Sequence, residues 1–243
     1  MNVSARRLRL VLLRQASGKG FPIPESFLGR LRAHFPEAVI AEFAGAASSF
    51  GEWLGRQDFS KAARVFAQPL YVVGGEEYHR MLHALGENGF EADNVGLPLL
   101  SGKSGPEELA GGLFKECREW LDAGGAVFYV GHGSRLESAE RMYGSLGKHL
   151  NSLHPNLFAG TLKTDPERVV SHLKNIRWLR LVPLFASAGG SSWRKVAGRE
   201  EGTLAWRLER MGFKCEVSSL GLLENVVAQD VWLRNIHLGL MRK

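Results

Sequence analysis

The 243-residue chain is 44% hydrophobic and 23% charged, with a net charge of +6, which describes an ordinary globular protein long enough for one large domain or two lobes. The charge is spread along the chain with no long basic run, which excludes a nucleic-acid-binding arm and suits an acidic small-molecule ligand. Its two cysteines, Cys117 and Cys215, stand far apart in no metal-ligand spacing, so neither a disulfide framework nor a zinc knuckle is expected.

At the N-terminus, Arg6, Arg7 and Arg9 precede Leu10-Val11-Leu12-Leu13, but Arg14 follows at once. The apolar stretch is too short for a signal peptide and reads as a first strand over 8–13. No segment approaches the roughly 20 apolar residues of a membrane helix, so a cytoplasmic protein without membrane contact is expected. Further strands are predicted at 39–43, 64–70, 92–96, 127–130, 157–161, 178–184 and 215–220. Amphipathic helices are predicted between them at 26–34, 77–85, 107–121, 138–150, 166–175, 204–211 and 226–240. Gly105-Pro106-Glu107-Glu108 and Asp165-Pro166-Glu167 are strong helix starts, with Pro in the first turn and acids at the positive end of the dipole. This alternation predicts an α/β protein with mainly parallel sheets.

A weak internal repeat divides the chain in two. Pro69-Leu70-Tyr71 leading to Gly74-Gly75 is matched by Pro183-Leu184-Phe185 leading to Gly189-Gly190. Gly89-Phe90 and Leu97-Pro98-Leu99-Leu100 are matched by Gly212-Phe213 and Leu220-Gly221-Leu222-Leu223. Two similar Rossmann-like lobes facing one cleft are therefore expected. The first spans 1–122 with the helix 226–243 packed back on it, and the second spans 123–225.

The richest stretch is Ala126-Val-Phe-Tyr-Val130 followed by Gly131-His132-Gly133-Ser134. A buried strand ending in a histidine between two glycines leaves the imidazole uncovered at the edge where open α/β sheets bind ligands. That imidazole can accept a proton near neutral pH or ligate a metal; the alternative is a β-turn that merely contains a histidine. Gly74-Gly75-Glu76-Glu77-Tyr78 places two carboxylates at a helix start, where the dipole alone would favour them or where one could face His132. His79 and His83 share a helix face at i,i+4 and could form a metal pair or lie on a solvated face. His34, His149, His154, His172 and His237 show no partner pattern. In Ala188-Gly189-Gly190-Ser191-Ser192-Trp193-Arg194-Lys195, the aromatic could stack on a planar ligand and the cations could pair with carboxylates. No phosphate-loop, dinucleotide or nucleophile-elbow pattern occurs, so no nucleotide cofactor is expected.

In chain order, Gln68-Pro69-Leu70-x-x-x-x-Gly75-Glu76-Glu77-Tyr78, Pro98-Leu99-Leu100-Ser101, Val130-Gly131-His132-Gly133-Ser134, Pro183-Leu184-x-x-x-x-Gly189 and Gly221-Leu222-x-Glu224-Asn225 resemble the anaerobic cobaltochelatase family. That family belongs to the class II chelatases with ferrochelatase, and the resemblance runs from about residue 60 to 236. It implies ATP-independent insertion of Co²⁺ or Fe²⁺ into sirohydrochlorin or a related anionic tetrapyrrole. His132 and Glu77 are then the catalytic and metal-binding pair, in a protein that could form a homo-oligomer. Substrate would be held by Arg14, Ser17, Ser134, Arg135, Ser191, Trp193 and Arg194, with Lys195 as a further carboxylate clamp. The chain departs from the family pattern at Ser191, where a second metal-binding histidine is expected, at Tyr71, at Arg14-Gln15-Ala16-Ser17, and in a shortened segment between Phe43 and Lys61. One imidazole and one carboxylate bind a divalent ion more weakly than two imidazoles and a carboxylate. A tetrapyrrole or haem carrier with His132 as axial ligand is thus the rival expectation, and a generic anion-binding module a remoter one.

Overall fold

A computed structural model describes residues 7–14, 22–58, 62–102, 105–171, 173, 175–187 and 190–242. It contains β1 (Arg7–Arg14), α1 (Glu25–His34), β2 (Val39–Ala44), α2 (Phe50–Gly55), β3 (Ala62–Pro69) and α3 (Glu76–Glu87). These are followed by α4 (Gly105–Asp122), β4 (Ala126–Gly131), α5 (Glu137–Leu153), β5 (Leu157–Thr161), α6 (Pro166–Val170) and β6 (Trp178–Leu184). The last elements are α7 (Gly190–Ala197), α8 (Leu204–Arg210), β7 (Lys214–Val217) and α9 (Val226–Leu240). Among the described residues all pairings between strands are parallel, in one sheet of order β2-β1-β3 and another of order β5-β4-β6-β7. The α/β class with parallel sheets read from the sequence is the observed one.

The chain divides into two compact units, 1–99 with 229–243, and 100–228. The sequence places 105–122 with the first lobe; here α4 clusters with the second unit, because it packs against α5 and β4. Tyr129 of β4 donates its hydroxyl to the Leu113 carbonyl of α4 at 3.2 Å, and Trp120 of α4 donates its indole N–H to the Ala126 carbonyl at 3.0 Å.

Unit 1 is built on β1, whose Leu10 to Leu13 are fully buried, as a central parallel strand covered on both faces requires. Met81, Ala84 and Leu85 of α3 close one side of this core together with Phe43, Phe50 and Val95. The C-terminal helix enters the same unit. Gly239 brings it so near β3 that a Cβ there would lie 2.3 Å from the Phe66 ring. Arg64 of β3 caps it, donating from Nη1 to the Leu240 carbonyl at 2.6 Å, a cation at the negative end of a helix dipole. Asn235 of the same helix donates to the carbonyls of Leu97 and Pro98 at 3.3 and 3.2 Å.

Unit 2 places Ala126, Phe128 and Val130 of β4 in a core with Leu179 and Leu181 of β6, Val196 of α7, and Leu204, Ala205 and Leu208 of α8. Among the segments that differ from their sequence-based expectation, two change type. Residues 92–96 form a 3₁₀ turn (Ala92–Asn94) with one isolated bridge, Ala67 to Val95, rather than a strand. Of residues 188–195, expected as a glycine turn, 190–195 lie in the helix α7, which buries Val196.

Candidate functional site

β4 is the central strand of the second sheet, with β5 on one side and β6 on the other, so its C-terminal end is where the strand order reverses. Loops leaving the strands on either side of such a reversal diverge and open a crevice. His132 follows β4 directly and is exposed. The two glycines around it are demanded by packing. A Cβ on Gly131 would lie 2.2 Å from Cε1 of Tyr143 in α5. Gly133 has φ +83°, and a Cβ there would lie 2.9 Å from a Glu140 carboxylate oxygen and 3.2 Å from Cβ of Thr161.

Glu140 organises the turn. Its Oε1 accepts from the Ser134 backbone N–H, its Oε2 is 3.4 Å from the Thr161 hydroxyl, and its carboxylate is 3.8 Å from Nζ of Lys163. Lys163 donates in turn to the Ser134 carbonyl at 2.5 Å, and the Leu136 N–H donates to Ser134 Oγ at 3.1 Å. Ser134, expected to touch substrate, is therefore a buried internal brace of the loop. Tyr143 stands beneath, its phenol pushed up by burial and by the Glu140 charge, and lowered in part by a hydrogen bond from the His132 backbone.

The imidazole itself is set by the loop after β6. Ser192, in the first turn of α7, places its Oγ 3.0 Å from Nδ1 of His132, and Phe185 meets the ring edge-on at 6.5 Å. When Ser192 accepts from Nδ1–H, the Nε2 lone pair is left for a metal or a proton.

Beside His132 lies a pocket of about 470 Å³ lined by Leu162, Lys163, Lys195, Gly202, Leu204 and Arg207. Three cations face one imidazole there. Arg207 has Asp165 at 3.8 Å and Lys163 has Glu140, so the cations are partly balanced and held in place. Lys195, expected as a carboxylate clamp, lines this pocket with His132. Arg135 and Arg194 are exposed and do not line this pocket. Trp193 is half-buried and donates its indole N–H to the Ser218 carbonyl at 3.4 Å. Ser17 and the side chain of Ser191 lie outside the described residues.

In unit 1, Glu77 occupies the first turn of α3 after Gly74-Gly75 and pairs with Arg80 one turn on. Its charge, after burial, contributes to raising the Tyr71 phenol to about 12. Tyr71 is therefore a neutral hydroxyl at physiological pH. Arg14, expected at a cleft rim, is a correction: it is buried at the end of β1 and its Nε is paired with Glu42 of β2, so its guanidinium is already committed. His79 and His83 are both exposed, and His83 lies 3.2 Å from Glu87. Among the described residues, no three His, Cys, Asp or Glu side chains gather into a preformed metal cluster.

Residues 49–240 match the cobalt chelatase (CbiK) family. The chain belongs to that family. A curated relative, sirohydrochlorin cobaltochelatase CbiKC of Nitratidesulfovibrio vulgaris strain Hildenborough, is 27% identical over 188 residues. The match covers 73% of this chain and 66% of the relative, so the chain spans just under two thirds of that protein's length. Among solved structures, SirB from Bacillus subtilis with Fe³⁺ aligns with a TM-score of 0.59 at 13% identity, over 96% of this chain and 95% of that one. CbiX, the terminal enzyme of sirohaem biosynthesis in denitrifying bacteria, aligns at 0.57 and 18% identity, over 96% and 99%. These likenesses establish the chelatase fold. Among the described residues no helix is long and apolar enough to cross a membrane.

The side chains around His132 that sequence reasoning missed are Glu140, Lys163 and Arg207, together with the contact made by Ser192. Lys163 and Arg207 reach the pocket from the loop after β5 and from α8, 31 and 75 positions beyond His132, where no local spacing announces them. Ser192 was visible as a hydroxyl of the second glycine turn, but its partner is 60 residues away.

Proposed function

We propose that the chain inserts a divalent metal, Co²⁺ or Fe²⁺, into sirohydrochlorin or a closely related carboxylate-bearing tetrapyrrole without ATP. One observation carries the reading: the exposed imidazole of His132, fixed by Ser192 on a two-glycine turn, borders a pocket lined by Lys163, Lys195 and Arg207. Family membership and the name of the curated relative support it.

Insertion requires that two pyrrole N–H protons leave, that the metal lose water, and that the flat ring pucker to present its nitrogen lone pairs. His132 Nε2 is the metal ligand and proton acceptor. Glu77 is assigned as metal ligand or proton relay from its place in the matched motif. The cations beside His132 hold the peripheral carboxylates, and the binding energy gained there is spent on distorting the ring. Lysines and an arginine suit this task because charge-assisted contacts to carboxylates are the stronger hydrogen bonds.

The test is insertion of Co²⁺ and of Fe²⁺ into sirohydrochlorin, followed by absorbance, with wild type, His132→Ala and Glu77→Gln. Loss of insertion in His132→Ala is expected; equal rates would remove His132 from the reaction. A second reading, a tetrapyrrole or haem carrier, is favoured by the lack of a three-donor cluster among the described residues. Tight binding of the metallated ring with no insertion by wild type would select it.

A further inference from the structure

Two histidines that the motifs leave aside meet in unit 1. His34 is the last residue of α1, and His237 lies in the last turn of α9. They are 203 positions apart in sequence, yet Nε2 of His237 and Nδ1 of His34 are separated by 3.4 Å. That is longer than a well-formed hydrogen bond from nitrogen. It equals the spacing of two donors on one tetrahedral ion, since two nitrogens each about 2.0–2.1 Å from the metal stand about 3.3–3.4 Å from each other. The rings are inclined at 67°, and Phe35 packs against His237 with centroids 4.6 Å apart.

The donors are held at this spacing by the helices that carry them. Arg30 of α1 donates to Gln229 of α9 at 3.0 Å and pairs with Asp230. Phe27 and Trp232, both fully buried, pack with centroids 6.0 Å apart. Little ordering is left for an arriving ion to impose, and preorganisation of this kind favours binding. Both imidazoles also sit at helix C-terminal ends, so two negative dipole ends favour a cation at the same point.

We propose that His34 and His237 form a two-imidazole site for a borderline divalent cation of the Zn²⁺, Ni²⁺ or Co²⁺ kind, with water in the remaining positions. Imidazole donors select these ions over Mg²⁺ and Ca²⁺. The ion clamps α1 to the C-terminal helix within unit 1. With two protein ligands it exchanges readily, unlike a closed structural zinc site. The site is independent of the proposed insertion activity.

Zn²⁺ titration of the full chain by calorimetry tests it, comparing wild type with His34→Gln and His237→Gln. His132→Ala and the double variant His79→Ala/His83→Ala report on the other imidazoles. The expected result is a Zn²⁺ affinity that falls at least tenfold in either glutamine variant and persists in His132→Ala and in the double variant. A Zn²⁺-dependent rise in melting temperature should vanish in the same two glutamine variants. Unchanged affinity in both overturns the proposal, as does loss of binding only when His79 and His83 are removed. Anomalous scattering from a Zn²⁺-soaked crystal of wild type decides the matter if a variant misfolds: a peak bonded to both rings supports the site, and none there rejects it.

Discussion

The Ser192 hydroxyl stands 3.0 Å from Nδ1 of His132, linking the loop that leaves β4 to the helix that follows β6. A short polar side chain thus orients the imidazole from the helix where the family pattern suggests a second metal-binding histidine. The chain holds one imidazole in a defined pose instead of presenting two, and the strength of the single hydroxyl contact should be measurable in catalysis.

Ser192→Ala should lower kcat about three- to tenfold, the equivalent of one hydrogen bond of about 0.5–1.5 kcal/mol, with a smaller change in KM. Ser192→Thr, which keeps the hydroxyl, should recover most of the loss. The check is steady-state Co²⁺ insertion by wild type and both variants over a range of pH. An unchanged profile in Ser192→Ala would make the contact incidental.

Glu140→Gln should loosen the turn that carries His132. The carboxylate accepts from the Ser134 N–H and stands near both Thr161 and Lys163, and the amide retains only part of that bonding. A stability loss of about 1–2 kcal/mol in urea titration is expected, with a larger proportional loss of insertion rate.

Gly131→Ala should cost about 1–3 kcal/mol by overpacking, since the added methyl would meet the buried Tyr143 ring. Gly131→Ala combined with Tyr143→Leu should recover part of that loss in thermal melts. Failure of the recovery would place the strain elsewhere.

Lys163→Ala and Arg207→Ala should each raise KM for the tetrapyrrole several-fold at low salt while leaving kcat within about twofold, since their proposed contacts are to the carboxylate rim. The difference from wild type should shrink as ionic strength rises, because salt weakens the attraction between exposed charges, with a Debye length of about 10 Å at 0.1 M that shortens as salt is added. A kcat effect without a KM effect would count against rim binding.

Tyr71 should resist ionisation until about pH 12, because burial and then the Glu77 charge disfavour the phenolate. The unfolded chain releases that proton near pH 10. Its folded pKa is the higher one, so the contribution to stability is intact below pH 10 and is lost as pH rises from there through 12. Ultraviolet difference titration of wild type against Tyr71→Phe would show it, and Glu77→Gln should bring the transition down.

Much of this arrangement was legible in the chain. The strands 157–161 and 178–184 and the last helix, 226–240, coincide with observed elements, because each has a clean hydrophobic period and a clear stop. The segment 92–96 misled because Val95 and its neighbours look strand-like, while Asp93 and Asn94 turn the backbone after a single bridge to β3. The start of α7 misled because paired glycines and serines read as a turn, whereas the buried Val196 that fastens the helix lies just beyond that stretch. The Gly-His-Gly turn was readable since its reasons are local, but Glu140, Lys163 and Arg207 act through chain reversals that periodicity does not encode. Arg14 looked like an anion clamp from its place at a strand end; Glu42 across the parallel register already engages it.

Unit 1 is discontinuous: its sheet is encoded by the first 99 residues, but the helix that covers Phe66 and is capped by Arg64 begins to join it only at Gln229. During synthesis the whole of unit 2 therefore emerges before unit 1 has its last element. The later-encoded unit can finish folding first, and the earlier one must wait, with an apolar face of its sheet uncovered, for residues 229–243 to leave the ribosome.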